Sequence, residues 1–193
     1  MASRPDPPRD PRPAAVTALR RPPVRQATVV RSDHAHTFHT FIATIGAWWP
    51  VRPFSAGDDQ VRDVTVEPQL GGRMYESWAD GTTVEWGRLQ VWEPPHRFVV
   101  TWTFTPAPTE VELTFTSLGP GLTRVAVEHR GWEQLTEGEL AADCAMPGGY
   151  SSGGYTHGWT HILACLAAAI TEMPAPSFGS PDGMLTDPSS RRQ

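Results

Sequence analysis

The sequence predicts an α+β domain in which a curved antiparallel sheet of about six to seven strands wraps around a long C-terminal helix. Three observations support this prediction. Residues 71–102 divide into three strands joined by tight turns at Asp80-Gly81 and Glu93-Pro94-Pro95. Residues 111–129 alternate apolar and polar side chains, as half-buried antiparallel strands do. Residues 155–173 carry one apolar stripe at helical spacing.

One strand and one helix are predicted before the main sheet. Residues 24–31 are rich in β-branched side chains and read as a strand. Ser32 or Asp33 is a suitable N-cap for the helix that follows, and Gly46 ends that helix. The apolar residues at helical spacing within it are Phe38, Phe41, Ile42 and Ile45. An aromatic loop then begins at Trp48.

The remaining strands are predicted from apolar residues at every second position, and the last helix from apolar residues at helical spacing. A strand at 61–67 precedes the three strands of residues 71–102, and two more follow. The side chains that should face inward from those last two strands are Val111, Leu113, Phe115, Val125, Val127 and His129. Residues 133–150 predict a short helix and a glycine-rich loop. At 100° per residue, the side chains within about 60° of Trp159 on the last helix are Ile162, Leu163, Leu166, Ile170 and Met173.

Composition predicts one folded domain between two tails. A chain of 193 residues with 39% hydrophobic side chains can bury a core of its own. Residues 1–23 contain seven prolines, and residues 174–193 contain four prolines and four serines, so both ends are expected to be disordered. The domain is therefore placed at residues 24–173.

The charge pattern disfavours nucleic acid as a partner. The formal net charge is −5, but residues 1–25 carry six arginines against two aspartates, a balance of +4, which leaves −9 for residues 26–193. A domain with that balance repels phosphate backbones. All sixteen basic residues are arginine, so lysine chemistry is excluded as well.

Cysteine usage and hydropathy predict a cytoplasmic protein without a membrane span. Cys144 and Cys165 are too few for a disulfide framework and lack the spacing of a metal cluster. Residues 1–23 have no apolar core of the kind a signal peptide needs. No stretch approaches the roughly 18 apolar residues that cross a bilayer.

Several short motifs, taken in order, resemble a known superfamily over residues 24–173. They are Trp48-Trp49-Pro50, Gly71-Gly72-Arg73, Asp80-Gly81, Gly87, Glu93-Pro94-Pro95-His96-Arg97-Phe98, Trp102, Gly121-Leu122-Thr123-Arg124, His129-Arg130-Gly131-Trp132 and Gly158-Trp159. The chain is similar to the SRPBCC superfamily, the START-like or birch-pollen-allergen-like helix-grip proteins. Within it the chain looks most like the branch of the C-terminal domain of the activator of HSP-90 ATPase. The resemblance implies a cavity between sheet and long helix that takes a hydrophobic molecule.

Several polar residues allow both a chemical and an ordinary structural interpretation. His157, His161 and Cys165 have the spacing of a soft metal site, but the helical arithmetic turns them away from the core. We therefore predict no metal ligand there. His129 should face inward, either to orient a ligand or move a proton, or as a core histidine hydrogen-bonded to the backbone. Glu76 shares the strand parity of Met74, and Glu85 shares that of Leu89. Each of the two carboxylates can face either the interior or solvent at this point.

The predicted ligand-binding residues are mainly aromatic, and a packed core is the alternative interpretation. They are Trp48, Trp49, Phe54, Met74, Glu76, Trp86, Trp102, Phe104, His129, Trp159 and Leu163. No Gly-x-Ser-x-Gly elbow or dinucleotide loop occurs, so no catalytic residue and no cofactor is assigned.

Three functions stay open at this point. The first is a non-catalytic module that binds a hydrophobic small molecule. The second is an enzyme of the polyketide-cyclase or aromatase kind, in which one or two polar residues of the cavity move protons. The third is a protein-interaction module like the HSP-90 activator. A monomer or weak homodimer is expected in each case.

Overall fold

A computed structural model of the protein describes residues 21–143 and 153–172. The predicted tails fall almost wholly outside these residues, as do Cys144 and the glycine-rich loop. The strands are β1 (Val24–Val30), β2 (Val61–Val66), β3 (Arg73–Trp78), β4 (Thr83–Glu93), β5 (Arg97–Trp102), β6 (Thr109–Gly119) and β7 (Leu122–Arg130). The helices are α1 (His34–Ala43), α2 (Ile45–Trp48), α3 (Glu137–Asp143) and α4 (Gly154–Glu172), with 3₁₀ turns at Asp58–Gln60 and Trp132–Gln134.

The seven strands form one antiparallel sheet in the order β1-β7-β6-β5-β4-β3-β2. The sheet curls into a half-barrel, and α1, α2 and α4 pack with it around a continuous hydrophobic core. This is the helix-grip architecture that the alternating strands and the C-terminal stripe predicted. Buried side chains alternate with more exposed ones along β6 and β7, which is why these strands were recognisable from sequence.

The first helix begins as predicted but ends earlier. The Asp33 carboxylate caps α1 by accepting the backbone N–H of His36 at 2.9 Å. The helix stops at Ala43, and a separate short helix, α2, continues through Gly46. The prediction that Gly46 ends the helix was wrong. A Cβ at Gly46 would collide with the Asp63 carboxylate, so glycine serves there for the close approach to β2.

A β-bulge in β4 decides which side chains of that strand face inward. Met74 pairs with Gly87 and Tyr75 with Glu85, so Trp86 is the extra residue between them. The bulge turns Trp86 and Leu89 toward the core together. A Cβ on Gly87 would overlap the carbonyl oxygen of Thr101 in β5, so only glycine fits at this position.

The predicted stripe of α4 is confirmed for the described residues. Trp159, Ile162, Leu163, Leu166 and Ile170 are buried, and His157 and His161 are exposed. Gly158 brings the helix against the Phe54 ring, since a Cβ there would lie 2.9 Å from it. The short helix predicted within 133–150 corresponds to α3.

Candidate functional site beneath the C-terminal helix

Four tryptophans from four separate segments meet between the sheet and α4. We call Trp49, Trp86, Trp102 and Trp159 the indole cluster. Ring centroids lie 5.1 Å apart for Trp49 and Trp86, 6.1 Å for Trp86 and Trp102, and 5.6 Å for Trp102 and Trp159. These are the separations of tilted and edge-to-face aromatic pairs, and all four rings are buried. The aromatic residues predicted from the sequence are therefore brought together, and they touch one another.

Three more predicted residues lie around this cluster. Trp48 contacts Trp49 with ring centroids 5.8 Å apart. The Phe54 carbonyl accepts the indole N–H of Trp49 at 2.8 Å. Phe104 contacts Trp86 and Trp102 and is 36% exposed, so the aromatic group reaches solvent at Phe104.

Met74 and Leu163, also predicted to line the site, are nearly fully buried members of the surrounding hydrophobic core. No ring contact or hydrogen bond sets either apart as a recognition residue, and both are apolar. Their described role is packing, so a ligand contact for them stays a prediction.

Glu76 is a fully buried carboxylate at one side of the indole cluster. Its Oε2 atom accepts the indole N–H of Trp86 at 2.8 Å and the backbone N–H of Ala56 at 3.0 Å. Its Oε1 atom accepts the indole N–H of Trp78 at 2.6 Å. Three N–H donors are the partners that a buried carboxylate needs in place of water. The inward position left open for Glu76 is thus the observed one.

Glu85 faces solvent, where its carboxylate pairs with Arg88 at 2.8 Å. Strand parity alone grouped Glu85 with the buried Leu89. The bulge at Trp86 breaks that parity, so the two residues lie on opposite faces of β4.

His129 is fully buried beside Trp102 and Trp159. Its Nδ1 atom accepts the indole N–H of Trp159 at 3.2 Å, so the ring proton is on Nε2 and is donated to the Thr109 hydroxyl at 2.8 Å. Burial lowers the pKa of His129 to about 3, so the imidazole is neutral at physiological pH. The inward position expected from strand parity is confirmed, and the ring is held by two side chains rather than by the backbone.

Three residues that surround His129 were not among the predicted ligand-binding residues. Thr109 shares the strand parity of Val111, and this signal alone was enough to place it inward. The Trp132 ring is tilted against the imidazole with ring centroids 4.2 Å apart, and its indole N–H donates to the His129 carbonyl at 2.8 Å. Gly131, at φ 97°, folds the chain back to allow this contact. The Tyr155 ring, at the start of α4, meets the imidazole edge to face with ring centroids 5.1 Å apart.

Two indole N–H groups are buried without an acceptor among the described residues. They belong to Trp48 and Trp102. Most buried donors in folded proteins are paired, so each exception calls for an explanation. Trp102 lies at the centre of the aromatic group, in contact with Phe104 and His129 as well as with its fellow indoles.

The outward histidines of α4 form no recognisable metal centre. The Cys165 sulfur lies 3.7 Å from Nε2 of His161. Across residues 21–143 and 153–172, no group of three or more His, Cys, Asp or Glu residues is arranged to hold a metal ion.

A groove of about 390 Å³ lies on the outer face of the sheet, across β1, β6 and β7. Its wall includes Arg25, Glu112, Arg124 and Glu128, which alternate with the buried side chains of these strands. This groove is on the opposite side of the sheet from the indole cluster. The cavity predicted between the sheet and the C-terminal helix therefore stays a prediction.

Comparison with known proteins identifies the family. The family described as Activator of Hsp90 ATPase homolog 1-like protein matches residues 40–171, and the chain belongs to it. The resemblance stated from the sequence motifs is thereby confirmed. No curated protein matches the chain. No helix in the described part of the chain is long and apolar enough to cross a membrane.

Solved structures give two relatives with substantial sequence identity. An anthrahydroquino-γ-pyrone synthase, Txn09, is 30% identical over 78% of this chain and 98% of its own, with a TM-score of 0.51. The self-sacrificing resistance protein CalC from Micromonospora echinospora is 27% identical over 80% of this chain and 97% of its own, with a TM-score of 0.54. Protein MLL2253 from Mesorhizobium loti, at 16% identity over 78% of this chain and 99% of its own and a TM-score of 0.53, shares the fold.

Proposed function

We propose that this protein binds a hydrophobic, oxygenated aromatic molecule between the sheet and α4. The observation that carries the proposal is the buried indole N–H of Trp102, which has no acceptor among the described residues. A ligand carbonyl would supply that acceptor, and the surrounding rings would supply stacking surface. Apolar walls with a few directed polar groups are characteristic of small-molecule sites.

The ligand class is supported by the relatives as well as by the geometry. The name of the 30% identical synthase specifies a fused-ring product bearing quinol and pyrone oxygens. Such a molecule has flat faces for the indoles and a carbonyl for Trp102. Fold alone does not transfer a ligand, so the argument depends on the aromatic walls of this chain.

The site is reached beside Phe104. This ring is 36% exposed, while the four indoles behind it are buried. Because the indoles already contact one another, the ligand gains room by displacing Phe104 from Trp86 and Trp102 rather than by filling a preformed void. Binding is therefore expected to change the environment of Trp102.

Calorimetric titration with a dihydroxyanthraquinone tests this proposal. W102F should weaken binding about tenfold, the effect of one lost hydrogen bond of about 1.4 kcal/mol. W92F is the matched control, since Trp92 packs against Phe38 and Phe98 outside the indole cluster. No binding by the wild-type protein, or equal losses in the two variants, would contradict the proposal.

A cyclase-type enzyme is the second candidate, favoured by the synthase relative and by the buried His129 and Thr109 pair. A histidine with a pKa of about 3 takes up no proton at neutral pH, so this pair is suited to orienting a ligand oxygen rather than to acting as a base. Mass spectrometry of the aromatic compound recovered after incubation separates the two candidates. Unchanged ligand supports binding alone, and a product of altered connectivity supports the enzyme. The protein-interaction function stays a prediction.

A further inference from the structure

Glu76 places a buried charge in the wall of the proposed ligand site. Its Oε2 atom accepts the indole N–H of Trp86. The ring of Trp86 in turn contacts Trp102 at 6.1 Å and Phe104 at 5.6 Å. The ring of Trp86 thus lies between the carboxylate and the proposed ligand position.

No described cation neutralises this carboxylate. The described ion pairs join Arg21, Arg25, Arg52, Arg73, Arg88, Arg97 and Arg130 to other acids, and none of them includes Glu76. No described arginine is among the buried polar residues. The three N–H donors of Glu76 stabilise its charge but do not cancel it.

From this uncompensated charge we infer that the site selects ligands by charge, taking neutral or amine-bearing aromatics and rejecting carboxylates. The inference rests on the proposed function and adds the charge class of the ligand. A unit charge about 10 Å from Glu76, at an effective dielectric constant of about 20, changes affinity on the order of tenfold in either direction. The indole faces also favour amine-bearing ligands, because aromatic rings attract cations. The Trp102 N–H does not demand an anion, since a neutral carbonyl satisfies it.

A matched set of three ligands tests the inference. The probes are anthraquinones that carry an aminomethyl, a hydroxymethyl or a carboxylate group at the same ring position. Comparing the cation with the anion separates charge preference from desolvation, because both ions lose water on entering the site. Calorimetry at neutral pH and about 0.5 M salt suppresses the contribution of the protein's surface charge.

The cation should bind the wild-type protein at least about tenfold more tightly than the anion. E76Q should reduce this ratio to less than about threefold, since it removes the buried charge. E85Q is the control, because it removes one negative charge from the solvent face of β4 and should leave the ratio unchanged. Thermal unfolding establishes that E76Q is folded, and the wild-type ratio stands as a test without any variant.

The possible results distinguish a failure of the charge inference from a failure of the proposed function. If the hydroxymethyl compound binds but the cation and anion bind wild-type protein equally, the charge inference is overturned while the proposed function stands. A ratio that E85Q lowers as much as E76Q does would also overturn it. If none of the three compounds binds, the proposed function fails and takes this inference with it.

Discussion

Trp86 and Trp102 of the indole cluster differ in whether the indole N–H has a hydrogen-bond acceptor. The Trp86 N–H donates to the Glu76 carboxylate, whereas the Trp102 N–H has no acceptor among the described residues. Both rings are buried and both contact Trp49. We therefore expect the hydrogen bond of Trp86 to contribute to stability, and the Trp102 donor to act in the proposed ligand recognition.

Replacing each tryptophan by phenylalanine tests these two roles, because the free energies of unfolding of the two variants can be compared. W86F and W102F remove the same atoms from buried positions, so the packing losses are similar. W86F also takes away one of the three donors of a buried carboxylate, and it should lower the free energy of unfolding by about 1–2 kcal/mol more than W102F does. Urea denaturation measures the difference. Equal losses, or a larger loss in W102F, would show that the Glu76 hydrogen bond contributes nothing.

The buried position of His129 predicts that the free energy of unfolding depends on pH. Its neighbours are Thr109, Trp102, Trp132, Tyr155 and Trp159, and none of these carries a charge at neutral pH. Burial lowers the pKa of the folded imidazole to about 3 from the ordinary 6.5. Between these values the unfolded chain binds more protons, so stability is full above about pH 6.5 and falls as the pH drops toward 3.

The window from pH 7 to pH 5 isolates this effect, because carboxylates titrate mainly below it. Over this window the wild-type free energy of unfolding should fall by about 2 kcal/mol. H129Q, which cannot be protonated, should be less stable at pH 7 but show little change between the two values. Parallel pH profiles for the two proteins would exclude His129 as the source.

At the scale of elements, the bulge in β4 governs the inner wall of the site. Trp86 is the residue that the ladder between β3 and β4 leaves out, and its inward position brings it to Glu76. Gly87 permits the bulge because the Thr101 carbonyl oxygen occupies the place of a side chain. A local departure from strand alternation thus produces the contact on which the buried carboxylate depends.

G87A should disturb both the bulge and the indole cluster. The added methyl group meets backbone rather than a movable side chain, so the expected loss of stability is about 1–3 kcal/mol. Near-ultraviolet circular dichroism should weaken as the indoles shift. G154A is the control, since no described residue places an atom within 4 Å of a Cβ at the first residue of α4 and alanine favours helix. If G87A were as stable as G154A, the close approach to Thr101 would not constrain β4.

At the scale of the whole molecule, charge is divided between two faces of one sheet. On the outer face, Arg97 and Arg130 bridge carboxylates of β4 and β6, at distances from 2.7 to 3.1 Å. The inner face carries the neutral His129 and the charged Glu76 among apolar rings. The ion pairs of the outer face are solvated, whereas the Glu76 carboxylate is buried. Added salt should therefore weaken the outer ion pairs far more than it weakens the electrostatic effect of Glu76.

The sequence by itself determined which residues of β6, β7 and α4 face inward. Alternation along a strand and 100° steps along a helix are local properties, so Val125, His129 and Trp159 were placed correctly without knowledge of their neighbours. Tertiary packing sets the partners of Glu76, and it leaves the Trp102 N–H without an acceptor among the described residues. Those contacts join residues that are distant in the chain, and a single bulged residue in β4 reverses the faces of Glu85 and Trp86. No local period records such an insertion, because the register between strands is set only when the sheet assembles.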